Sequence, residues 1–360
     1  MRFKTSSGNF RTQFSALLQP RVAELAEEYR FVEVSANRPP WNGTGIKLAE
    51  GDCVTLFCAG RAWLTAIPEV WVDAHFGLWI RVGTRAPMFR VPRGSLTFTA
   101  PHAGELYLAN LFPGAWGDEN GALASPPSAF EKVAGAFEVL IIRWRSDAHQ
   151  GLQRMAEQGG PAAELAAEEV RACRNPVTPP RGWKYLWSTG DAEAFRADDE
   201  GRIRCEIIDD GTILQRPVSA PFTPSTRLRW SWKVDQLPSS RAEDSVATHD
   251  YLSIAVEFDN GKDLTYFWSS ALESERSFAC PIPSWRNRET HMAIRSGSGQ
   301  LRQWISEERD LWQDYQRAVG PQPSRIVAIW LIAVSIFQHG VGRCEFRDIE
   351  LINGSERVGV

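Results

Sequence analysis

The sequence predicts a mainly β protein: two β-sandwich or jelly-roll domains joined by a short helical linker, with a helix at the N-terminus. Three observations carry that expectation. Short runs of alternating apolar residues recur along most of the chain, punctuated by Gly, Pro and Asn/Asp. The chain has 360 residues and is 43% hydrophobic, enough to bury more than one core. One stretch, 146–174, breaks the two-residue period with runs rich in Ala, Glu and Gln. The boundaries that follow are a helical segment over 1–30, a sandwich over 31–145, a helical linker over 146–180 and a jelly roll over 181–360.

Taken in order, residues 11–29 read as a helix, because Pro20 suits a first turn and Val22, Leu25 and Tyr29 follow at helical spacing. From Phe31 the period becomes two: FVEVSA, TGIKLA, DCVTLFCAG, FGLWIRVG, SLTFTA, GELYLANL and GAFEVLIIRW are strand candidates. SDAHQGLQRMAEQGG and PAAELAAEEVRAC are helical runs parted by Gly159-Gly160-Pro161, and Pro176, Pro179 and Pro180 end the linker. Beyond it AEAFRAD, RIRCEII, TILQRPV, LRWSWKV, DYLSIAVEF, LTYFWSS, HMAIRS, RIVAIWLIAV and CEFRDIELI alternate as strands. Residues 306–320 read as a helix capped by Ser306, with Arg309 and Asp314-Tyr315 as a brace tying it to the sheet.

Charge and cysteine usage exclude several classes. Forty basic against 44 acidic residues give a net charge of -4, which argues against a nucleic-acid or anionic-membrane partner. The first twenty residues lack the apolar run of a secretory signal, and Ile326–Val334 is half a membrane span, so a cytoplasmic location is expected. Six cysteines are dispersed without C-x-x-C or paired Cys/His spacing, which predicts free core thiols and no structural zinc. No nucleophile elbow, dinucleotide fingerprint, Walker loop or H-E-x-x-H occurs.

The segment Val32–Trp144 carries V-E-V-S-A-N (32–37), W-N-G-T-G-I (41–46), G-D-C-V-T-L-F-C-A-G (51–60), H-F-G-L-W-I-R-V-G (75–83) and A-P-H-A-G-E-L-Y-L-A-N-L-F-P-G-A-W-G-D-E-N-G (100–121). In these blocks it resembles the PA-I-type galactophilic lectins, calcium-dependent bacterial β-sandwiches. The resemblance implies a sugar ligand and a calcium site in the last block, where the family has an Asn-Asp pair, a Pro-Gly-Thr turn and an Asn-Asn pair. This chain has Asn110-Leu111, Pro113-Gly114-Ala115 and Asp118-Glu119 there. Leu111 removes one carboxylate while Asp118 and Glu119 supply two, so these two are the candidate metal ligands, with Asn110 and Trp116 as candidate sugar contacts.

Residues 183–352 resemble a bacterial domain family of unknown function. L-R-W-S-W-K-V-D (228–235), Asp250-Tyr251 before a strand ending Glu257-Phe258, Y-F-W-S-S (266–270) and W-x-x-E-x-R-D-x-x-x-D-Y (304–315) carry the likeness. Two departures stand out: Ser253 where many members have arginine, and S-I-F-Q-H after Val334 where an acidic D-x-D segment is usual.

Within this half Asn260-Gly261 predicts a hairpin with a two-residue turn, pairing Phe258 with Asp263, Val256 with Thr265 and Ile254 with Phe267. One face is then core. The other carries Tyr251, Glu257, Tyr266 and Trp268, either as a sugar platform or as a second buried layer. Glu257 and Asp250 are the candidate carboxylates should the domain cleave a glycan. His249, His291 and His339 stand at predicted strand ends; scattered hydrogen-bonding roles are expected over convergence on a metal. The function expected is glycan recognition or processing. A hydrolase or lyase and a non-catalytic assembly protein are the alternatives, calcium the candidate cofactor and a homo-oligomer the candidate assembly.

Overall fold

The computed structural model describes residues 7–66, 69–187, 189, 193–321 and 323–360. Residues 1–6 of the predicted N-terminal segment and Ala192 of one predicted strand lie outside that set. The chain divides into two compact units, residues 1–177 and 178–360, and both are built from largely antiparallel sheets; one pair in the second unit, Asp263–Ser269 with Glu289–Ser296, is parallel. No helix among the described residues is long and apolar enough to cross a membrane.

In the N-terminal unit one sheet has the order Ala26–Ser35, Ala134–Trp144, Cys53–Ala66, Glu69–Asp73, with Ser95–Thr99 also on Cys53–Ala66. The second runs Asn42–Leu48, Gly104–Asn110, Leu78–Val82, Phe89–Arg90. The predicted N-terminal helix is shorter than its periodicity suggests. Helices span Ser7–Leu17 and Pro20–Ala23, and from Ala26 the chain is a strand. Residues 29–31 pair with Ile142, Ile141 and Leu140, so a full ladder of sheet hydrogen bonds outweighs a weak local helical pattern.

The helices His149–Ala156 and Pro161–Arg174 are not a free linker. Leu152, Met155, Leu165 and Ala166 are buried with Phe10, Phe14 and Leu17 against Phe57, Leu140 and Ile142 of the first sheet. Their apolar stripes need a partner, and the outer face of that sheet supplies it. Glu169, on the same side, is buried and accepts from Ser95 Oγ at 2.7 Å and Arg93 at 3.2 Å.

The C-terminal unit is a two-sheet sandwich. One sheet has seven strands in the order Lys184–Tyr185, Gly211–Pro221, Arg325–Val334, Leu252–Phe258, Asp263–Ser269, Glu289–Ser296, Ser277–Ala279. The other runs Phe195–Ala197, Ile203–Ile208, Val341–Asn353, Thr226–Gln236, Ile305–Asp310, with Glu356–Gly359 on Val341–Asn353. Its core is an aromatic zipper between the sheets: Trp230 stacks on Tyr266 at 5.7 Å and Trp232 meets Trp268 at 5.5 Å.

Two local predictions change here. Residues 305–310 form a strand rather than a helical turn, because Ser231 meets Ser306, Arg229 meets Glu308 and Arg227 meets Asp310 across the ladder. The helix begins at Leu311, capped by Asp310, which accepts from Gln313 N–H at 3.0 Å. The brace is present: Arg309 grips Asp314 at 2.8 and 2.9 Å, and Tyr266 O–H donates to the same carboxylate at 2.9 Å.

The hairpin Leu252–Ser269 is present but slipped by one residue. Glu257 pairs with Asp263, Ala255 with Thr265 and Ile254 with Tyr266. Phe258 N–H donates to Lys262 O and Gly261 N–H to Phe258 O, closing a three-residue loop with Gly261 at φ 74°. That is a type I turn with a bulge rather than a two-residue turn, and it moves every side chain of one strand to the opposite face.

Candidate functional site

The lectin-like loop leaves the strand Gly104–Asn110 at Asn110, which is fully buried. Asn110 Nδ2 donates to Ala36 O at 2.8 Å and Phe112 O at 2.7 Å, and its Oδ1 accepts from Phe112 N–H at 3.1 Å. It therefore braces the loop base and is not turned toward a ligand. Trp116, 4% exposed, stacks on Trp41 at 5.1 Å and meets Trp79 edge-on at 5.9 Å. The predicted contact at Trp116 is thus a floor beneath the loop, a correction that follows from this packing. Gly121, at φ 80°, leaves room for Trp41, whose ring a Cβ there would overlap.

Asp118 and Glu119 are exposed at the loop tip. Asp118 Oδ1 accepts from the N–H groups of Asn120 and Ala122, at 2.9 and 3.0 Å, and so folds the tip on itself. The Arg81 guanidinium lies 4.3 Å from the Trp41 ring and donates to Asn120 O at 3.0 Å. Calcium takes about six to eight oxygens. In this loop Leu111 stands in place of a carboxylate, and Asn110 Oδ1 and Asp118 Oδ1 each accept from backbone amides.

The predicted platform of the C-terminal unit is taken apart by the register. Tyr266 and Trp268 point into the sandwich core, 0% and 1% exposed. Tyr251, 3% exposed, points to the opposite face with Ala255 and Phe267, under a cover that includes Leu272, Phe278 and Trp285. Glu257 shares Tyr251's face, where Arg288 pairs with it at 2.8 Å and Gln215 Nε2 donates at 3.2 Å. These rings form two buried layers and no surface for a sugar.

Glu257 and Asp250 do not form a catalytic pair. They stand seven residues apart along one extended segment, roughly 20 Å, well beyond the 6.5–9.5 Å used even by inverting glycosidases. Asp250 is wholly buried and accepts from the N–H groups of Phe337 and Gln338, so it holds the S-I-F-Q-H stretch in place. Burial pushes its carboxyl up to about 6 against those two hydrogen bonds. Ser253, the other departure, is buried on the outer face of the same sheet.

On that covered face the fold assembles a cluster that spacing does not reveal. His249, Cys280, Glu289 and His291 are buried, and one ligand atom from each lies within 4.8 Å of the others. Glu289 and His291, two apart on one strand, share a face by the strand's own period. Cys280 directly follows the edge strand Ser277–Ala279, which pairs antiparallel with Glu289–Ser296, and its N–H donates to Glu289 O at 2.9 Å. His249 Nδ1 donates to Glu243 O at 2.6 Å, its Nε2 lying 3.5 Å from Cys280 Sγ. Burial holds His249 down to about 3, with His291 adding to the effect, so its ring is neutral near pH 7.

Neither ring nitrogen of His291 completes a hydrogen bond, although Nε2 lies 3.4 Å from Glu289 Oε1. A buried polar group so left costs about 1–3 kcal/mol. Tyr251 O–H donates to Glu289 Oε1 at 3.1 Å. Two of the three histidines singled out in the sequence therefore do converge, while His339 lies 3.3 Å from Asp209 elsewhere. The signal available beforehand was Glu289-Thr290-His291, two ligating side chains at strand spacing; Cys280 had none.

Comparison with known proteins places these features as follows. Residues 191–350 match the model of a family described as protein of unknown function (DUF3047). No curated protein matches the chain. Among solved structures, a PllA-like lectin, the EclA N-terminal domain, is 17% identical with a TM-score of 0.25, covering 31% of this chain and 94% of that one. The xyloglucanase domain of NopAA, a type three effector from Sinorhizobium fredii in complex with cellobiose, is 8% identical with a TM-score of 0.29, over 42% and 81%. These are coarse β-sandwich likenesses, lectin-like in the first case.

Proposed function

We propose that the protein recognises glycans through the loop 110–124 of its N-terminal unit. The observation that carries this reading is the preformed state of that loop. Asn110 locks its base, Asp118 folds its tip near Arg81, and the Trp41–Trp116 stack supports it while Asp118 and Glu119 are exposed to solvent. Fixed polar groups over an aromatic support suit a hydroxyl-rich ligand, because little entropy remains to be lost on binding. Recognition by direct hydrogen bonds, without a calcium requirement, is the form proposed. Tyr251, Tyr266 and Trp268 are buried and are not part of the proposed contact.

A glycan array followed by isothermal titration on the full chain, in calcium and in chelator, tests the reading. Binding to at least one glycan is expected in both conditions. Glu119→Gln should weaken it about 10-fold, the worth of one charge-assisted hydrogen bond. Absence of binding under both conditions, or full affinity in Glu119→Gln, would overturn it.

A further inference from the structure

We propose that His249, Cys280, Glu289 and His291 bind a divalent metal ion of the zinc class, in the C-terminal unit and apart from the glycan loop. The four side chains offer two imidazoles, a thiol and a carboxylate, with ligand atoms within 4.8 Å of one another. Zinc bonds of about 2.0–2.3 Å place tetrahedral ligand atoms about 3.3–3.6 Å apart. Two edges of the cluster already have that length: His249 Nε2 to Cys280 Sγ at 3.5 Å and His291 Nε2 to Glu289 Oε1 at 3.4 Å.

The surroundings are those of a metal site. His249 Nδ1–H is committed to Glu243 O, which fixes the tautomer and turns the Nε2 lone pair to the cluster. Tyr251 O–H supports the Glu289 carboxylate in the same way. A purely hydrogen-bonded cluster accounts for less. A Cys280 S–H donated to His249 Nε2 still leaves His291 buried with neither nitrogen hydrogen-bonded.

Charge points in the same direction. On binding, the Cys280 S–H proton leaves to solvent and a sulfur–metal bond forms, so a thiolate and a carboxylate neutralise the dication within a buried site. Asp263, the neighbouring acid, has Arg288 at 3.9 Å. A thiolate with two imidazoles selects a zinc-like ion over calcium or magnesium. Four protein ligands with no solvent face make the site structural: it would pin the end of the edge strand Ser277–Ala279, at Cys280, and the segment carrying His249 to the strand carrying Glu289 and His291.

The test uses the full chain, stripped with chelator and then titrated with zinc alone or cobalt(II) alone. A single zinc per chain with a raised melting temperature is expected. Cobalt(II) should give tetrahedral d–d bands and a thiolate-to-metal charge-transfer band. Cys280→Ser should lose that band, and Tyr251→Phe, which removes only the hydroxyl donating to Glu289, should bind zinc about 10-fold more weakly. Should Cys280→Ser not fold, the wild-type spectrum and Tyr251→Phe decide the matter. No zinc uptake by the folded wild-type chain, or a charge-transfer band persisting in folded Cys280→Ser, would overturn the proposal.

Discussion

Glu275 shows how a single residue in this protein is defined by its neighbours. Arg309 donates to it at 2.8 and 3.0 Å, and Arg317 joins from the helix Leu311–Ala318. The hydrogen bonds from Arg309, then those from Arg317, hold its carboxyl below the ordinary 4.5. A depressed carboxylate contributes stability that is fully present above its unfolded value and is lost as pH falls through the folded one. Glu275→Gln should therefore be less stable than wild type at neutral pH, with the difference vanishing in strong acid, as read by urea denaturation across pH. Arg309 and Asp314 were legible as a brace because fork and carboxylate lie five residues apart. Glu275 was not, since it comes from a distant segment.

At the scale of the element, the hairpin Leu252–Ser269 decides most about the C-terminal unit. Its existence was legible from Asn260-Gly261 between alternating runs, whereas its register was not. A two-residue and a three-residue loop both accommodate Asn-Gly, and the choice is made by which side chains the second sheet can bury. With Glu257 opposite Asp263, Leu264, Tyr266 and Trp268 join Ile254 and Val256 in the core facing Trp230 and Trp232. The alternative register would bring Asp263 and Thr265 to that core and leave more polar groups to satisfy there. Gly261 makes the turn possible at φ 74°, and its Cβ direction is open space. Gly261→Ala should accordingly cost about 1–2 kcal/mol through backbone strain alone, measured as a lowered urea midpoint with an unchanged m-value.

For the whole molecule, each unit carries its own core, and the segment around residues 174–182 between them is largely exposed. Arg174 and Arg181 lie exposed in it, so limited trypsin digestion of the native chain should cut first there and release two fragments near the 1–177 and 178–360 boundaries. Early cuts within the sheets instead would contradict this division. The helices 149–156 and 161–174 were readable as helices but not as part of the N-terminal unit. Their apolar stripes name no partner, and only the sheet beneath Leu140 and Ile142 supplies one.

What the sequence determined by itself was local in origin. Alternation set the longer strands but not short ones such as Glu69–Asp73 and Ser277–Ala279, Pro20 and Gly160-Pro161 set helix starts, and Asn260-Gly261 set a hairpin, since each depends on backbone preferences within a few residues. Tertiary structure alone decided which face of each strand is buried, and with it the fate of Tyr251, Tyr266 and Trp268. It also decided that His249, Cys280 and the Glu289–His291 pair, up to 42 residues apart in the chain, meet on one covered face. Burial and convergence are properties of packed sheets, and the pairing of strands distant in sequence can bring together side chains whose spacing along the chain carries no trace of it.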